Sequence, residues 1–185
     1  MALLGLEIPA EIQQHLQKIK VPGSRDLSDH LTIFYFEGTL TPKKIAKICD
    51  LISDVLVNTK PFDCTIKQIT TFPSGEDGFP IKGDVSSKKL VALRSELAKV
   101  FDKNKIKFSK KFDFNPHVTL SYHTNNFDKM KIDPITWTVT NLVIWGGSFD
   151  QKGIDVKIPL GQKTASSPLK IVASHYLKNI RNNSF

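Results

Sequence analysis

Two cysteines in 185 residues, with no His or Cys partner at ligand spacing, give this chain neither a disulfide framework nor a zinc signature. Cys49 falls in a helical apolar pattern and Cys64 in a strand-like one, so both read as small core residues in a reducing compartment. No apolar run is long enough to cross a membrane. The opening Met1-Ala-Leu-Leu-Gly-Leu-Glu7 lacks a basic stretch and meets an acid too early for a signal peptide, so a cytoplasmic location is expected. A glycine-rich phosphate loop is missing as well. Gly75 and Gly78 flank Glu76 and Asp77, which repel a phosphate, and nucleotide-dependent phosphoryl transfer loses its main support. From Val156 onward there is no Asp or Glu.

What is present is basic. Twenty-six Lys and Arg against eighteen Asp and Glu leave a net charge of +8, which suits an anionic partner. Lys157, Lys163, Lys170, Lys178 and Arg181 carry part of the excess, and Lys103, Lys105, Lys107, Lys110 and Lys111 form a second run. The length, 40% hydrophobic residues and twelve Phe support one compact domain over residues 1–162. Residues 163–185 read as a basic tail, either mobile or docked as a short helix through Ile171, Leu177 and Ile180.

His30-Leu31-Thr32-Ile33 and His117-Val118-Thr119-Leu120 are one pattern, His-apolar-Thr-apolar, used twice in a chain with five His. On a strand, side chains alternate faces, so each His shares a face with its Thr while the two apolar residues point into the core. One copy is what any half-buried strand can show; the repetition argues for chemistry. Facing each other across a cleft, the copies supply two proton-transfer groups and two hydrogen-bond donors, the set that phosphodiester cleavage needs. His15, among Gln and Lys, reads as a surface residue, and His175 lies in the tail. His123 keeps the parity of His117 but sits roughly 20 Å further along at about 3.3 Å per residue.

Apolar periodicity predicts strands over residues 3–8, 30–36, 62–72, 79–85, 105–108, 117–122, 135–145 and 154–159. Helices are expected after Pro9, after Thr41-Pro42 as N-cap and first turn, and after Ser86 or Ser87. Val21-Pro-Gly-Ser-Arg-Asp26 reads as a loop. The mixed order favours α+β with antiparallel sheets over a doubly wound parallel sheet.

Together these motifs resemble the 2H phosphoesterases, the LigT-like or 2′-5′ RNA ligase-like superfamily, over roughly residues 3–160. The opening Leu6-Glu7-Ile8-Pro9-Ala10-Glu11-Ile12 is similar to the strand-Pro-helix start of that family, and Phe114-Asn115-Pro116 leads into the second motif as is typical there. Residues 72–80 and 141–147 look most like members encoded by bacteriophages. The resemblance implies a bilobal, pseudo-symmetric α+β fold, two antiparallel sheets flanking a central groove with helices outside. It also implies metal-independent cleavage of a small phosphodiester with no cofactor, by His30, Thr32, His117 and Thr119. One departure stands out: many members carry Arg two residues after the second motif, where this chain has Tyr122.

Tyr122 shares the side of Leu120 on a regular strand, which directs the search for a further phosphate contact to Lys110 or Lys111. Phe34, two past Thr32, and Trp137 or Trp145 either stack on a base or pack in the core. The candidate substrate-binding set is therefore Phe34, Lys110, Lys111, Tyr122 and Trp145. One neutral imidazole takes a proton from the attacking oxygen and the other, protonated, donates to the leaving oxygen; which is which stays open. The expected substrate is a cyclic oligonucleotide or 2′-5′ oligoadenylate, a signal of host immunity if the phage likeness holds. An enzyme of RNA ends (2′,3′-cyclic phosphates or 2′-5′ junctions) is the alternative, with RNA as its partner. A non-catalytic nucleotide- or RNA-binding module and an assembly component are the competing classes. A monomer without membrane or metal partners is expected.

Overall fold

The computed structural model describes residues 2–38, 40–73, 78–111, 113–146 and 154–162; the basic tail lies outside them. The elements in order are β1 (Ala2–Glu7), α1 (Ala10–Lys18), β2 (Ser24–Arg25), β3 (His30–Phe36), α2 (Pro42–Leu56), β4 (Phe62–Thr71), β5 (Phe79–Ser86), α3 (Lys88–Lys103), β6 (His117–His123), β7 (Met130–Val139), β8 (Asn141–Gly146) and β9 (Ile154–Pro159). Helix starts follow the capping chemistry. Thr41 Oγ accepts from the Lys44 N–H, and Ser87 Oγ accepts from Leu90 N–H while donating to the Asp63 carbonyl. The stripe Leu90, Leu93, Leu97 and Phe101 buries one side of α3, and Ile45, Ile48, Cys49, Ile52 and Leu56 bury one side of α2.

All strand pairs are antiparallel and fall into two sheets, a four-stranded β3-β1-β8-β9 and a five-stranded β2-β6-β5-β4-β7. The α+β architecture with one motif strand in each sheet is as expected. Cys49 and Cys64 are core residues, and burial pushes their thiols up to about 12 and about 11.

Three expectations need correction. Residues 135–145 are not one strand: the chain leaves the five-stranded sheet after Val139 and enters the other at Asn141. Strand-forming residues on both sides of Thr140 hide this switch of sheets from a local reading. Residues 105–108 make only a single bridge, Phe36 to Phe108, because Lys105 and Ile106 are still tied to the end of α3, their N–H groups donating to the Asp102 and Phe101 carbonyls. Finally, the expected loop at 21–26 contains β2, which pairs with Tyr122 and Ser121.

That short strand is the seam between the sheets. After Arg25 the chain stays beside β6, with Asp26 N–H donating to the Leu120 carbonyl (3.2 Å) and Ser28 N–H to the Thr119 carbonyl (2.9 Å). It then crosses directly into β3, where the Asp29 carbonyl accepts from Ile8 N–H and His30 pairs with Glu7. Arg25 locks the crossing by donating to the Leu16 and Ile19 carbonyls at the end of α1. Ser121 Oγ, fully buried, donates to the Pro22 carbonyl.

Both motif strands carry a bulge at the same motif position. On β3, Thr32 pairs with Gly5 and Phe34 with Leu4, leaving Ile33 extra. On β6, Thr119 pairs with Lys82 and Ser121 with Ile81, leaving Leu120 extra. A bulge shifts alternation by one residue. Ile33 and Phe34, and likewise Leu120 and Ser121, are consecutive buried residues.

Gly23 tests the seam. Its φ is +90°, and a Cβ there would lie 2.0 Å from the Tyr122 carbonyl oxygen. Gly23→Ala should destabilise the protein by about 2–4 kcal/mol, the left-handed penalty plus a backbone clash, measured by urea denaturation.

Candidate functional site

The first lobe presents His30 and Thr32 half-buried on edge strand β3. His30 Nδ1 lies 2.8 Å from Asp29 Oδ1, and Ser28 Oγ is 3.4 Å away while donating to the His30 carbonyl. A carboxylate only accepts, so Nδ1 carries the proton and Nε2 is left for transfer. The Trp145 ring packs at 5.4 Å from the imidazole. Gly5 makes room for this: a Cβ there would stand 2.4 Å from the Leu31 carbonyl oxygen and 3.1 Å from the Trp145 ring.

Tyr35, which sequence reasoning missed, is 46% exposed and accepts a 3.4 Å hydrogen bond at its hydroxyl from Thr32 Oγ. Phe34 is corrected in the opposite sense. It is buried against Phe101 and Phe108 with the Arg94 guanidinium 4.8 Å over its ring, so it supports β3 from behind. The bulge at Ile33 exchanged the two aromatics. The aromatic stretch 34–36 gives no local sign of that exchange, because either parity leaves an aromatic on each face.

In the second lobe, His117 Nδ1 lies 2.7 Å from the Asn115 carbonyl, which fixes the same tautomer and again leaves Nε2 for transfer. Phe72 packs edge-on against this imidazole at 4.7 Å. Opposite His117 and Thr119 on β5 stand Asp84 and Lys82. Lys82 is only 3% exposed, with its ammonium on Asp84 and Thr70 and 4.4 Å from the Phe72 ring. Asp84 also accepts from Gln68 (2.7 Å) and Thr70 (3.0 Å). A lysine at strand parity facing the motif was the available signal, overlooked because Ile81, Gly83 and Val85 mark the strand as core.

This network sets the local electrostatics. Partial burial works against the Asp84 carboxylate, but hydrogen bonds from Lys82, Gln68 and Thr70 and the Lys82 charge outweigh it and hold its pKa below the usual carboxylate value. Burial pushes the His117 pKa below the ordinary histidine value; the Asn115 carbonyl and Asp84 pull the other way, and the Lys82 and His30 charges push it further down. The influence of His30, with the seam joining Ser28 to Thr119, puts the two motifs within electrostatic reach.

The other expected residues fall as follows. Lys110 is corrected: its ammonium is 2.8 Å and 3.0 Å from the two Asp102 oxygens and 5.0 Å from the Phe108 ring, so its charge is spent on the end of α3. Lys111 is exposed two residues past Ser109, whose N–H donates to the Tyr35 carbonyl. The bulge at Leu120 moves Tyr122 off the core side assumed for a regular strand, onto the parity of Thr119, and takes His123 off it. Trp137 is core and His15 is exposed. Lys163, Lys170, Lys178, Arg181 and His175 lie outside the described residues. Among the described residues no group of three His, Cys, Asp or Glu is placed to hold a metal, and no helix is long and apolar enough to cross a membrane.

Two measurements check these electrostatics. Because the unfolded chain takes up the His117 proton at a higher pH than the folded one, stability should begin to fall below about pH 6.5. The Asp84 contribution is full above about pH 3.9 and is lost as pH drops further toward its lower folded value. In urea midpoints across pH, His117→Gln should remove the first decline and keep the second. Lys82→Met should raise the His117 pKa in a proton NMR titration, since a neighbouring positive charge disappears and Asp84 loses its counter-ion.

Known proteins share this architecture. A structure of TT0787 from Thermus thermophilus superposes with a TM-score of 0.66 at 16% identity, covering 88% of this chain and 99% of that one. E. coli LigT complexed with 3′-AMP gives 0.66 at 18% identity over 87% and 98%, and LigT complexed with NADP+ gives 0.59 at 20% over 87% and 98%. These similarities establish the fold. No curated protein matches the sequence. The family model described as the 2′-5′ RNA ligase superfamily matches residues 8–148, spanning both motifs, and the chain therefore belongs to that superfamily, the 2H phosphoesterases.

Proposed function

We propose that the protein is a metal-independent phosphodiesterase that cleaves a small nucleotide phosphodiester by acid–base catalysis from His30 and His117. The observation that carries this reading is the paired tautomer: both imidazoles have Nδ1 held by an acceptor, which leaves both Nε2 atoms for proton transfer. Their surroundings differ in a way that divides the labour. His117 faces a neutral carbonyl, and burial favours its uncharged form, as a base requires. His30 has a carboxylate on Nδ1, the partner that suits an imidazolium acting as acid.

In this mechanism His117 Nε2 takes the proton of the attacking ribose hydroxyl or water as the new P–O bond forms. His30 Nε2 delivers its proton to the leaving oxygen as the old P–O bond breaks. Thr32 and Thr119 donate to the non-bridging oxygens as charge builds there. Trp145 packs against His30, and the Tyr35 hydroxyl, beside Thr32 Oγ, orients Thr32 by donating to it when the single Thr32 proton turns to the phosphate. Superfamily membership and the nucleotides bound by LigT support a nucleotide substrate. The likeness of residues 72–80 and 141–147 to bacteriophage-encoded members favours a cyclic oligonucleotide or 2′-5′ oligoadenylate signal of host immunity.

Assays with 2′-5′ oligoadenylates, cyclic di- and trinucleotides and 2′,3′-cyclic nucleotides test this directly. Turnover should survive excess EDTA; loss in chelator with recovery on adding a divalent ion contradicts the mechanism. His30→Ala and His117→Ala should each lower kcat at least about a hundredfold, and the double variant should cost far less than the product of the two. Activity against pH should be bell-shaped, with an acid limb below about pH 6.5 set by His117.

A further inference from the structure

Beyond the two histidines, the second lobe opens into a cavity of about 730 Å³. Gln68 and Asp84, members of the network opposite His117, form its near wall with Pro116, the residue before His117. Lys67, Lys88 and Val91 line it further out. The volume lies within the range of about 300–1,000 Å³ typical of small-molecule sites.

Three features say what fits. Asp84 brings no free charge into the cavity, because Lys82, Gln68 and Thr70 already occupy its oxygens. Lys67 and Lys88 pair with no carboxylate among the described residues, so two cations remain for an anion. Val91 is 47% exposed, and it and Tyr35 are the two large hydrophobic side chains left this open among the described residues. Tyr35 is bonded to Thr32 of the first motif, while Val91 lines the cavity. An apolar contact beside two unspent ammonium groups, in a cavity walled by the strand partner of His117 and by the residue before it, is the chemistry of a nucleoside with its phosphate.

We propose that this cavity holds a second nucleotide unit of the substrate, its base against Val91 and its phosphate between Lys67 and Lys88. The inference rests on the phosphodiesterase reading of the two motifs. It adds where the second linked nucleotide sits and which residues select for it; a mononucleotide cyclic phosphate would leave the cavity unused.

Equilibrium titration with two probes decides the matter. One is a 5′-phosphorylated diadenylate with a cleavage-resistant phosphorothioate 2′-5′ linkage, and the other is adenosine 2′-monophosphate. The wild-type protein should bind the diadenylate at least about tenfold more tightly, as expected for one additional charge-assisted phosphate contact. The double variant Lys67→Glu/Lys88→Glu and the separate variant Val91→Trp should each remove most of that advantage. Both should leave mononucleotide binding within about twofold, since these exposed positions belong to neither motif strand. If the mononucleotide binds but the diadenylate binds no better, or keeps its advantage in both variants, the subsite is wrong and the phosphodiesterase reading stands. If neither probe binds the wild-type protein, that reading falls and the subsite with it.

Discussion

The hydrogen bond from Ser28 N–H to the Thr119 carbonyl joins the two halves of the site. It stands at the point where the chain, having run beside β6, leaves for β3, so the second motif's backbone anchors the approach to the first. Two residues later comes His30, whose carbonyl and ring both meet Ser28 Oγ. Because the link is made by backbone groups, the spacing of the motifs is set by peptide geometry rather than by long, adaptable side chains. The remaining features support that crossing. Gly23 allows the close approach to Tyr122, Arg25 ties it to the end of α1, and Ser121 holds Pro22 from the core.

The matching bulges give the two lobes a common design. Each inserts its extra residue directly after the motif threonine, so each strand turns its next side chain inward and brings a tyrosine round to the motif face. Regular strands would place Phe34 beside Thr32 and bury Tyr35. A bulge costs a ladder bond, but here it re-aims side chains onto the face that carries the motif histidines.

The lobes diverge in their charges. His30 has a solvent-facing carboxylate partner, with Asp29 78% exposed on its side chain. His117 has a carbonyl partner, an aromatic edge from Phe72 and a buried lysine close by. An ammonium as buried as Lys82 persists because Asp84, Thr70 and the Phe72 ring compensate its lost hydration. The same cation discourages protonation of His117 while Asp84 opposes it, so the pair that packs β5 also tunes that imidazole.

Local chemistry made much of this legible in the sequence. Alternation marked β3 and β6, Thr41 and Ser87 announced their helices, and the repeated His-apolar-Thr-apolar pattern falls on one strand of each sheet. Those features depend on near neighbours in the chain, where periodicity and capping act. The sheet switch at Thr140, the pairing of Ser24 and Arg25 with β6, and the contact of Trp145 with His30 depend on partners distant in sequence. The bulges are decided by cross-strand register, which has no local signature, and they reversed the places of Phe34 and Tyr35. Lys82 looked like an interruption of an apolar strand until Asp84, Gln68 and Thr70 came together around it. Which residue types recur, and at what spacing, is written along the chain; which way they point, and how firmly His117 holds a proton, follows from cross-strand register and from charges remote in sequence brought into contact.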